Sequence, residues 1–359
     1  MSAQSDPSVV HINSRSHTYE IAIQESALDA LSANDRVFII TDQRFEKTFT
    51  NAGFTHVVGI VATEENKTLQ SVEKIVIQLK NYGVRRQDQI VAVGGGIIQD
   101  LSTLTASLYM RGIDWIYLPT TLLGMVDSCI GGKSSINIGG IKNLVGNIYP
   151  PKRILIGTDF CNTLSKADLN AGLAEAAKIC FCKGNAEFQE FLRLTDLQDD
   201  VALKDLIEFV LSTKKWFIEI DEFDKKERQL LNFGHTFGHA LEVASNYEVA
   251  HGLAVALGMQ AAIAFESNNR ETSSIENQLF DYLMNLLQQA NVTATVSELF
   301  DVKKFKESFS NDKKHSSDVF RIILPNSHGG VRIEEMTRTN QVLSDVTEAM
   351  TTVLQGDSQ

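Results

Sequence analysis

A chain of 359 residues that is 43% hydrophobic has the length for two domains and the apolar content for a large core, which excludes fibrous and disordered classes. Its formal net charge of -12 excludes the clustered positive potential that a nucleic-acid or anionic-membrane surface needs, although a local basic pocket could still hold a small anion. Four cysteines without the spacing of a zinc cluster, a polar first sixteen residues and no apolar run of about 18 residues predict reduced, mostly buried thiols, no membrane span and a cytoplasmic location.

The first half alternates short β-rich runs with helical patterns, which is how a parallel, helix-covered sheet is written. Strands are predicted at Arg36 to Thr41, His56 to Val61, Gln89 to Val93, Trp115 to Leu118 and Arg153 to Ile156, and a helix at Leu69 to Tyr82. In such a sheet ligands sit beyond the carboxyl ends of the strands, so Asp42, Gly94 to Gly96 and Pro119 to Thr121 are candidate ligand positions. From Lys166 to Gln289 the apolar spacing is almost wholly helical. The predicted architecture is therefore an α/β nucleotide-binding domain over residues 1–160 and a mostly α-helical domain over 161–359, the latter with a strand at Phe320 to Leu324 and a last helix near Gln341 to Leu354.

Two stretches of the first half carry chemistry. The strand Val91 to Val93 runs into Gly94, Gly95 and Gly96 and then a helix, a turn that lets the backbone approach a diphosphate at a helix start. It is not the GxGxxG fingerprint, and tight strand-to-helix packing would use the same glycines. Downstream, Lys133 and Lys142 with Asn143 lie among glycines and apolar residues in an otherwise acidic chain, a composition suited to neutralising phosphate.

Three of the eight histidines, His235, His239 and His251, fall within seventeen positions. His235 and His239 are four apart and project from one helix face. That spacing suits a divalent metal, one metal ligand plus one substrate-binding imidazole, or a structural pair. Glu175, Lys178, Lys214, Arg228 and Asn232 supply the polar company that a reactive site needs.

Taken together, the triple glycine with Asp100, Tyr109 to Gly112, Pro119 to Leu123, Asp127 with Gly131 to Lys133, Lys142 and Asn143, Ala171 to Glu175 with Lys178, and Asn232 to His239 with His251 and Gly252 resemble the 3-dehydroquinate synthases, and more broadly the sugar-phosphate cyclases, which are related in fold to the iron-dependent alcohol dehydrogenases. The resemblance runs from about Asp42 to Leu324. It implies a divalent metal, Zn2+ or alternatively Co2+, held by Glu175, His235 and His251, whereas helical spacing alone favours His239 as the third ligand. It implies NAD bound by Asp42, Glu64, Lys67, Gly95, Gly96, Ile97, Asp100, Thr120, Thr121, Leu123, Asp127, Lys133, Lys142, Phe160, Thr163 and Leu164. Asp42 would serve a ribose, although a strand-end aspartate is also an ordinary helix cap. Substrate contacts carry over to Lys133, Asn143, Lys178, Lys214, Arg228, Asn232, His239 and Lys314 of the Lys313, Lys314 pair, with Arg111 reaching into the neighbouring subunit of a homodimer.

The implied activity is conversion of the anionic sugar phosphate 3-deoxy-D-arabino-heptulosonate 7-phosphate to 3-dehydroquinate and phosphate. Its steps are transient oxidation of a ring alcohol, phosphate elimination, re-reduction, ring opening and aldol closure. Lys214 and Arg228 would grip the substrate carboxylate and so argue for the acid substrate. Alternatives are a cyclase making an inosose, a valiolone or an amino-dehydroquinate, and a catalytically lapsed binding protein. Against the family pattern, Leu253 replaces a glutamate, Gln99 a glycine, Thr103 and Leu104 a glycine and a phenylalanine, and Arg44 a small polar residue.

Overall fold

The computed structural model describes residues 8–15, 17–28, 31, 36–139, 141–195 and 200–356. In chain order its elements are β1 (Ser8–Asn13), β2 (Thr18–Gln24), β3 (Val37–Asp42), α1 (Gln43–Asn51), β4 (Val57–Ile60), α2 (Leu69–Asn81), β5 (Gln89–Gly94), α3 (Gly96–Leu108), β6 (Trp115–Pro119), β7 (Ile136–Ile138), β8 (Ile141–Val145) and β9 (Arg153–Gly157). There follow α4 (Lys166–Lys183), α5 (Asn185–Leu194), α6 (Asp200–Ile220), α7 (His235–Ala244), α8 (His251–Ser267), α9 (Ser274–Gln289), α10 (Val292–Leu299), α11 (Val302–Ser310), β10 (Val319–Pro325), β11 (Val331–Thr337) and α12 (Asn340–Gln355). Two compact units form, one from residues 1–163 with 196–222 and one from 164–195 with 223–359.

The first unit is built on a seven-stranded sheet in the order β1-β2-β9-β6-β5-β3-β4, parallel except for β1. Its central strands are the continuous apolar runs of the sequence, because a strand covered on both faces has no polar face to show. The chain leaves β3 for β4 on one side and crosses back to β5 on the other. That reversal opens a crevice at the carboxyl ends of β3 and β5, at Asp42 and Gly94. The hairpin β1–β2 at the sheet edge lay outside the predicted strands, although Tyr19, Ile21 and Ile23 alternate with Glu20 and Ala22. β7 and β8 pair antiparallel, so the lysine-bearing loop contains a small ribbon.

Residues 200–220 form a helix as the periodicity predicts, but the helix belongs to the first unit and not to the helical domain that a boundary near 160 assigns it to. Periodicity reports that a helix has a buried face without saying what covers it. Here the contacts are with the sheet edge, where Glu219 accepts from the Asn13 amide at 2.8 Å and Glu222 from the Ser14 hydroxyl at 3.0 Å.

The second unit is helical, with β10 and β11 paired as an antiparallel hairpin. Caps close several helix starts: Ser165 accepts from the Asp168 amide of α4, Ser273 and Glu276 form a capping box on α9, and Thr339 accepts from the Val342 amide of α12. Helix α8 is buried from Gly252 to Ile263 on every face. Its close neighbours are admitted by glycine: a Cβ at Gly258 would fall on the Gly234 carbonyl oxygen, and one at Gly252 on the Ala171 carbonyl oxygen of α4. All four cysteines are free thiols, and burial pushes Cys129 and Cys182 up to about 12. No helix among the described residues is long and apolar enough to cross a membrane.

Overpacking a filled interior costs about 1–3 kcal/mol. Gly258→Ala is therefore expected to lower the thermal unfolding midpoint by at least about 2 °C, whereas Gly356→Ala, whose added methyl meets nothing, leaves it unchanged. Equal midpoints for both variants in a thermal melt would contradict the backbone-to-backbone packing of α7 against α8.

Candidate functional site

In the second unit, α4 places Glu175 and Lys178 one turn apart, both almost fully buried at 1% and 2% exposure. The Lys178 ammonium donates to Oε2 of Glu175. The other oxygen, Oε1, is buried and takes no hydrogen bond. It faces two imidazoles, with His235 Nε2 at 3.9 Å and His251 Nε2 at 3.7 Å.

Helices α7 and α8 each begin at one of these histidines. Nδ1 of His235 lies 3.3 Å from the Phe233 carbonyl, which takes the ring proton on that side and leaves the Nε2 lone pair for a ligand. On His251, Nδ1 faces Oε1 of Glu242 at 3.5 Å. Burial, reinforced by the charge of Lys178, holds His235 well below the ordinary histidine range. For His251 burial acts the same way, but Glu242 and then Glu175 outweigh it and leave the ring above the ordinary value.

His239 joins this group one turn along α7. The ring centroids lie 5.3 Å apart for His235 and His239, 5.3 Å for His235 and His251 and 5.6 Å for His239 and His251, and all three offer ligand atoms within 4.8 Å of one another. Burial, then the charge of Lys314, lowers His239 to about 3. Lys314 is itself paired with Asp312 at 3.0 Å, so it is this lysine of the pair that lies with the histidines. Arg228, buried, and Asn232, which donates to the Gln229 carbonyl at 3.0 Å, belong to the short turn that precedes α7.

The donor set fits a divalent metal. Ligands about 2.0–2.2 Å from a tetrahedral ion lie roughly 3.3 Å from one another, close to the observed separations of Oε1 from the two Nε2 atoms. An anionic oxygen buried without a partner is costly, and a cation is what would satisfy it. Two ligand sets remain within reach of the geometry, Glu175 with His235 and His251, or the three histidines. The orphaned Oε1 favours the first.

The first unit gathers a different group. Gly95 caps α3 without any side-chain bond, and a Cβ at Gly96 would meet nothing, so the helix start opens onto free space. Thr120 follows β6, its amide donating to the Gly94 carbonyl at 3.1 Å while its buried hydroxyl has no hydrogen-bond partner. Thr121 lies against Gly95, and Ile97 and Leu123 flank these turns. Free amides at a helix start, a glycine clearing and an unused hydroxyl fit the diphosphate of a dinucleotide. Asp42 both caps α1, accepting from the Arg44 amide at 3.2 Å, and pairs with the Arg44 guanidinium at 2.8 Å. The cap that residue type alone allows is thus present, and a ribose would share this carboxylate with Arg44.

Lys67 is a buried hub. Its ammonium reaches Asp100 at 3.1 Å, Asn143 at 2.6 Å and Glu64 at 3.6 Å. Asn137 donates to Glu64 and accepts from the Asn143 amide, and the Ser135 amide donates to Asp100. This network ties the β7–β8 ribbon, with Lys142 and the left-handed Asn143 (φ 54°), to the start of α3; Lys133 lies just before it and is exposed. A π-helical turn over Gly124–Ser128 presents Asp127, whose carboxylate pairs with Lys214 of α6 at 2.9 Å. Gln99, in place of a glycine, exchanges two hydrogen bonds with Ser128, both at 2.6 Å, and so holds the end of that turn. Phe160 packs edge-on to Phe45, and Thr163 donates to the Phe160 carbonyl, whereas Leu164 opens the second unit. Lys214 accordingly belongs with Asp127 in the first unit, and Arg228 with the histidines in the second.

Glu242, Ser128, Ser135 and Asn137 join these networks in addition to the sequence candidates. For Glu242 a signal existed, since it stands three residues after His239 on the same helix face.

Residues 57–171 match the family model described as 3-dehydroquinate synthase N-terminal, and residues 172–315 the model described as 3-dehydroquinate synthase C-terminal. The chain belongs to the 3-dehydroquinate synthase family. A 3-dehydroquinate synthase from Sulfurovum sp. is 35% identical over 341 residues, covering 93% of this chain and 93% of that protein. In fold, the chain is similar to the 2-epi-5-epi-valiolone synthase ValA from Streptomyces hygroscopicus subsp. jinggangensis, solved with NAD+ and Zn2+, at a TM-score of 0.80 and 23% identity over 94% of this chain and 97% of that one. An iron-containing alcohol dehydrogenase from Thermococcus thioreducens matches at a TM-score of 0.63 and 15% identity over 96% and 99% of the two chains, as the expected kinship in fold requires.

With Glu175 as the third ligand, His251→Ala is expected to lower zinc occupancy, measured by elemental analysis after dialysis, at least about tenfold more than His239→Ala does. Equal loss, or the reverse order, would assign the centre to the three histidines.

Proposed function

We propose that this chain is a 3-dehydroquinate synthase, converting 3-deoxy-D-arabino-heptulosonate 7-phosphate to 3-dehydroquinate and phosphate. What carries the reading is the 35% identity to such an enzyme over 93% of both chains, combined with the buried Glu175 oxygen left facing two imidazoles. Bound NAD would supply a reversible oxidant for a substrate alcohol, and a bound Zn2+ or Co2+ would supply a Lewis acid for its oxygen.

The chain's own residues have the following parts in this reading. Glu175, His235 and His251 hold the metal, and Lys178 holds Oε2 of Glu175 so that Oε1 faces the imidazoles. The start of α3 with Gly95, Gly96 and Ile97, together with Asp42, Thr120, Thr121, Leu123 and Asp127, holds the dinucleotide. Glu64, Lys67 and Asp100 act on it through the network that sets the β7–β8 ribbon, and Phe160, Thr163 and Leu164 complete the set. Lys133, Lys142 and Asn143 offer positive charge and an amide to phosphate. Lys214 and Arg228 take the substrate carboxylate, a role that the acid substrate requires and carboxylate-free sugar phosphates do not. Asn232, His239 and Lys314 orient substrate hydroxyls. Elimination needs a base, and the substrate's own phosphate can accept that proton, which agrees with a site rich in lysine.

The reading extends to a cytoplasmic homodimer. Arg111 supports the second part: it is exposed and held in left-handed backbone (φ 65°) beside Gly112, a fixed presentation suited to a neighbouring subunit's substrate.

Purified protein supplied with NAD and Zn2+ or Co2+ is expected to release phosphate from the heptulosonate phosphate and not from sedoheptulose 7-phosphate or glucose 6-phosphate. Release from only a carboxylate-free sugar would replace this reading with another cyclase, and no release from a metal-loaded protein would replace it with a binding function.

A further inference from the structure

His251 presents two ring nitrogens to two carboxylates. Nε2 is 3.7 Å from Oε1 of Glu175, and Nδ1 is 3.5 Å from Oε1 of Glu242. A nitrogen that binds a metal has no proton, so the neutral ring must carry its proton on Nδ1, and that N–H requires an acceptor. For His235 the acceptor is the Phe233 carbonyl. His251 stands first in α8 behind Ala250, whose side chain makes no cap and whose carbonyl takes the Leu253 and Ala254 amides, and the nearby Leu253 is buried and apolar, so neither neighbouring side chain in its own helix turn can accept. The carboxylate that reaches it comes from α7.

We infer that Glu242 is the positioning residue of the metal centre, fixing the tautomer and ring angle of His251 through Nδ1. Three features of its surroundings bear on the assignment. Its side chain is 13% exposed, so water competes weakly for the carboxylate, although the His251 ring it faces is 41% exposed. It lies on the same helix as His235 and His239, and α7 packs against α8 where the glycines at 234 and 258 bring the two backbones together, so the distance from Glu242 to His251 is set by the rigid helix pair and not by a loop. It also differs in kind from the partner of the other imidazole at a helix start: the Phe233 carbonyl faces His235 and a carboxylate faces His251, which makes His251 the stronger donor to a cation.

The inference rests on His251 being a ligand, and the experiment separates the two. Zinc affinity is measured by competition with a chromophoric chelator, and the Co2+-loaded proteins are compared by their visible absorption. Glu242→Ala is expected to weaken zinc binding about 10- to 100-fold and to shift the cobalt bands, with the unfolding midpoint of the metal-free protein unchanged. Glu242→Gln, which keeps the shape and a neutral acceptor, is expected to fall between wild type and Glu242→Ala, and it carries the test if the alanine variant does not fold. Glu248→Ala, an exposed acidic residue on the following turn, serves as the control for general charge and leaves affinity unchanged. If His251→Ala loses metal while both Glu242 variants bind zinc and absorb in the visible as wild type does, the positioning role is overturned and the ligand assignment stands. If His251→Ala also binds zinc as wild type does, both fall together.

Discussion

One buried carboxylate divides its two oxygens, and much of the second unit is arranged around that division. Glu175 gives Oε2 to the ammonium of Lys178 and leaves Oε1 with no hydrogen-bond donor, facing the Nε2 atoms of His235 and His251. An ionised carboxylate costs several kcal/mol to bury unless it is compensated. Lys178 offsets part of that cost through its charge, and the two buried side chains compensate each other. What remains is a carboxylate oxygen with two imidazole nitrogens before it, an arrangement that suits a cation.

The helices make this possible by approaching more closely than ordinary side chains permit. Gly252 lets α8 reach the backbone of α4 one residue after His251, and Gly258 lets it reach Gly234, the residue before His235. Each of these two histidines is thus adjacent to a point where two backbones touch, so its position is fixed by main chain. In the first unit the same economy appears in another form. Lys67, Asp100 and Asn143 spend their polar groups on one another, and this joins the ribbon that carries Lys142 and Asn143 to the glycine-lined start of α3. Gln99 adds a second tie, from α3 to the turn that presents Asp127.

The parts of the fold legible in the sequence are those with a single dominant signal. The strands β3, β5, β6 and β9 are continuous apolar runs, and α2 has an unbroken helical stripe behind a threonine cap. The hairpin β1–β2 carries an alternating signal in its second strand, and β11 follows Gly329 and Gly330, a turn signal after the predicted strand β10. What no local pattern supplies is the partner of a helix, and α6, with Lys214, clusters with the first unit although its periodicity continues the helical run. The site divides in the same way. His235 and His239 announce themselves by spacing, but Glu175 lies sixty positions upstream of His235, and only the family motif names it. In the structure, Oε1 of Glu175 is the oxygen left without a hydrogen-bond donor. Glu242 was visible on the helix face of His239, yet nothing in the sequence says that it faces His251.

The most direct test of the metal centre is a crystal structure of the zinc-loaded protein with anomalous data at the zinc edge. The account predicts one ion about 2.0–2.2 Å from Glu175 Oε1, His235 Nε2 and His251 Nε2, with His239 outside the coordination sphere. An ion bound to all three imidazoles, with Glu175 Oε1 beyond bonding distance, would contradict it.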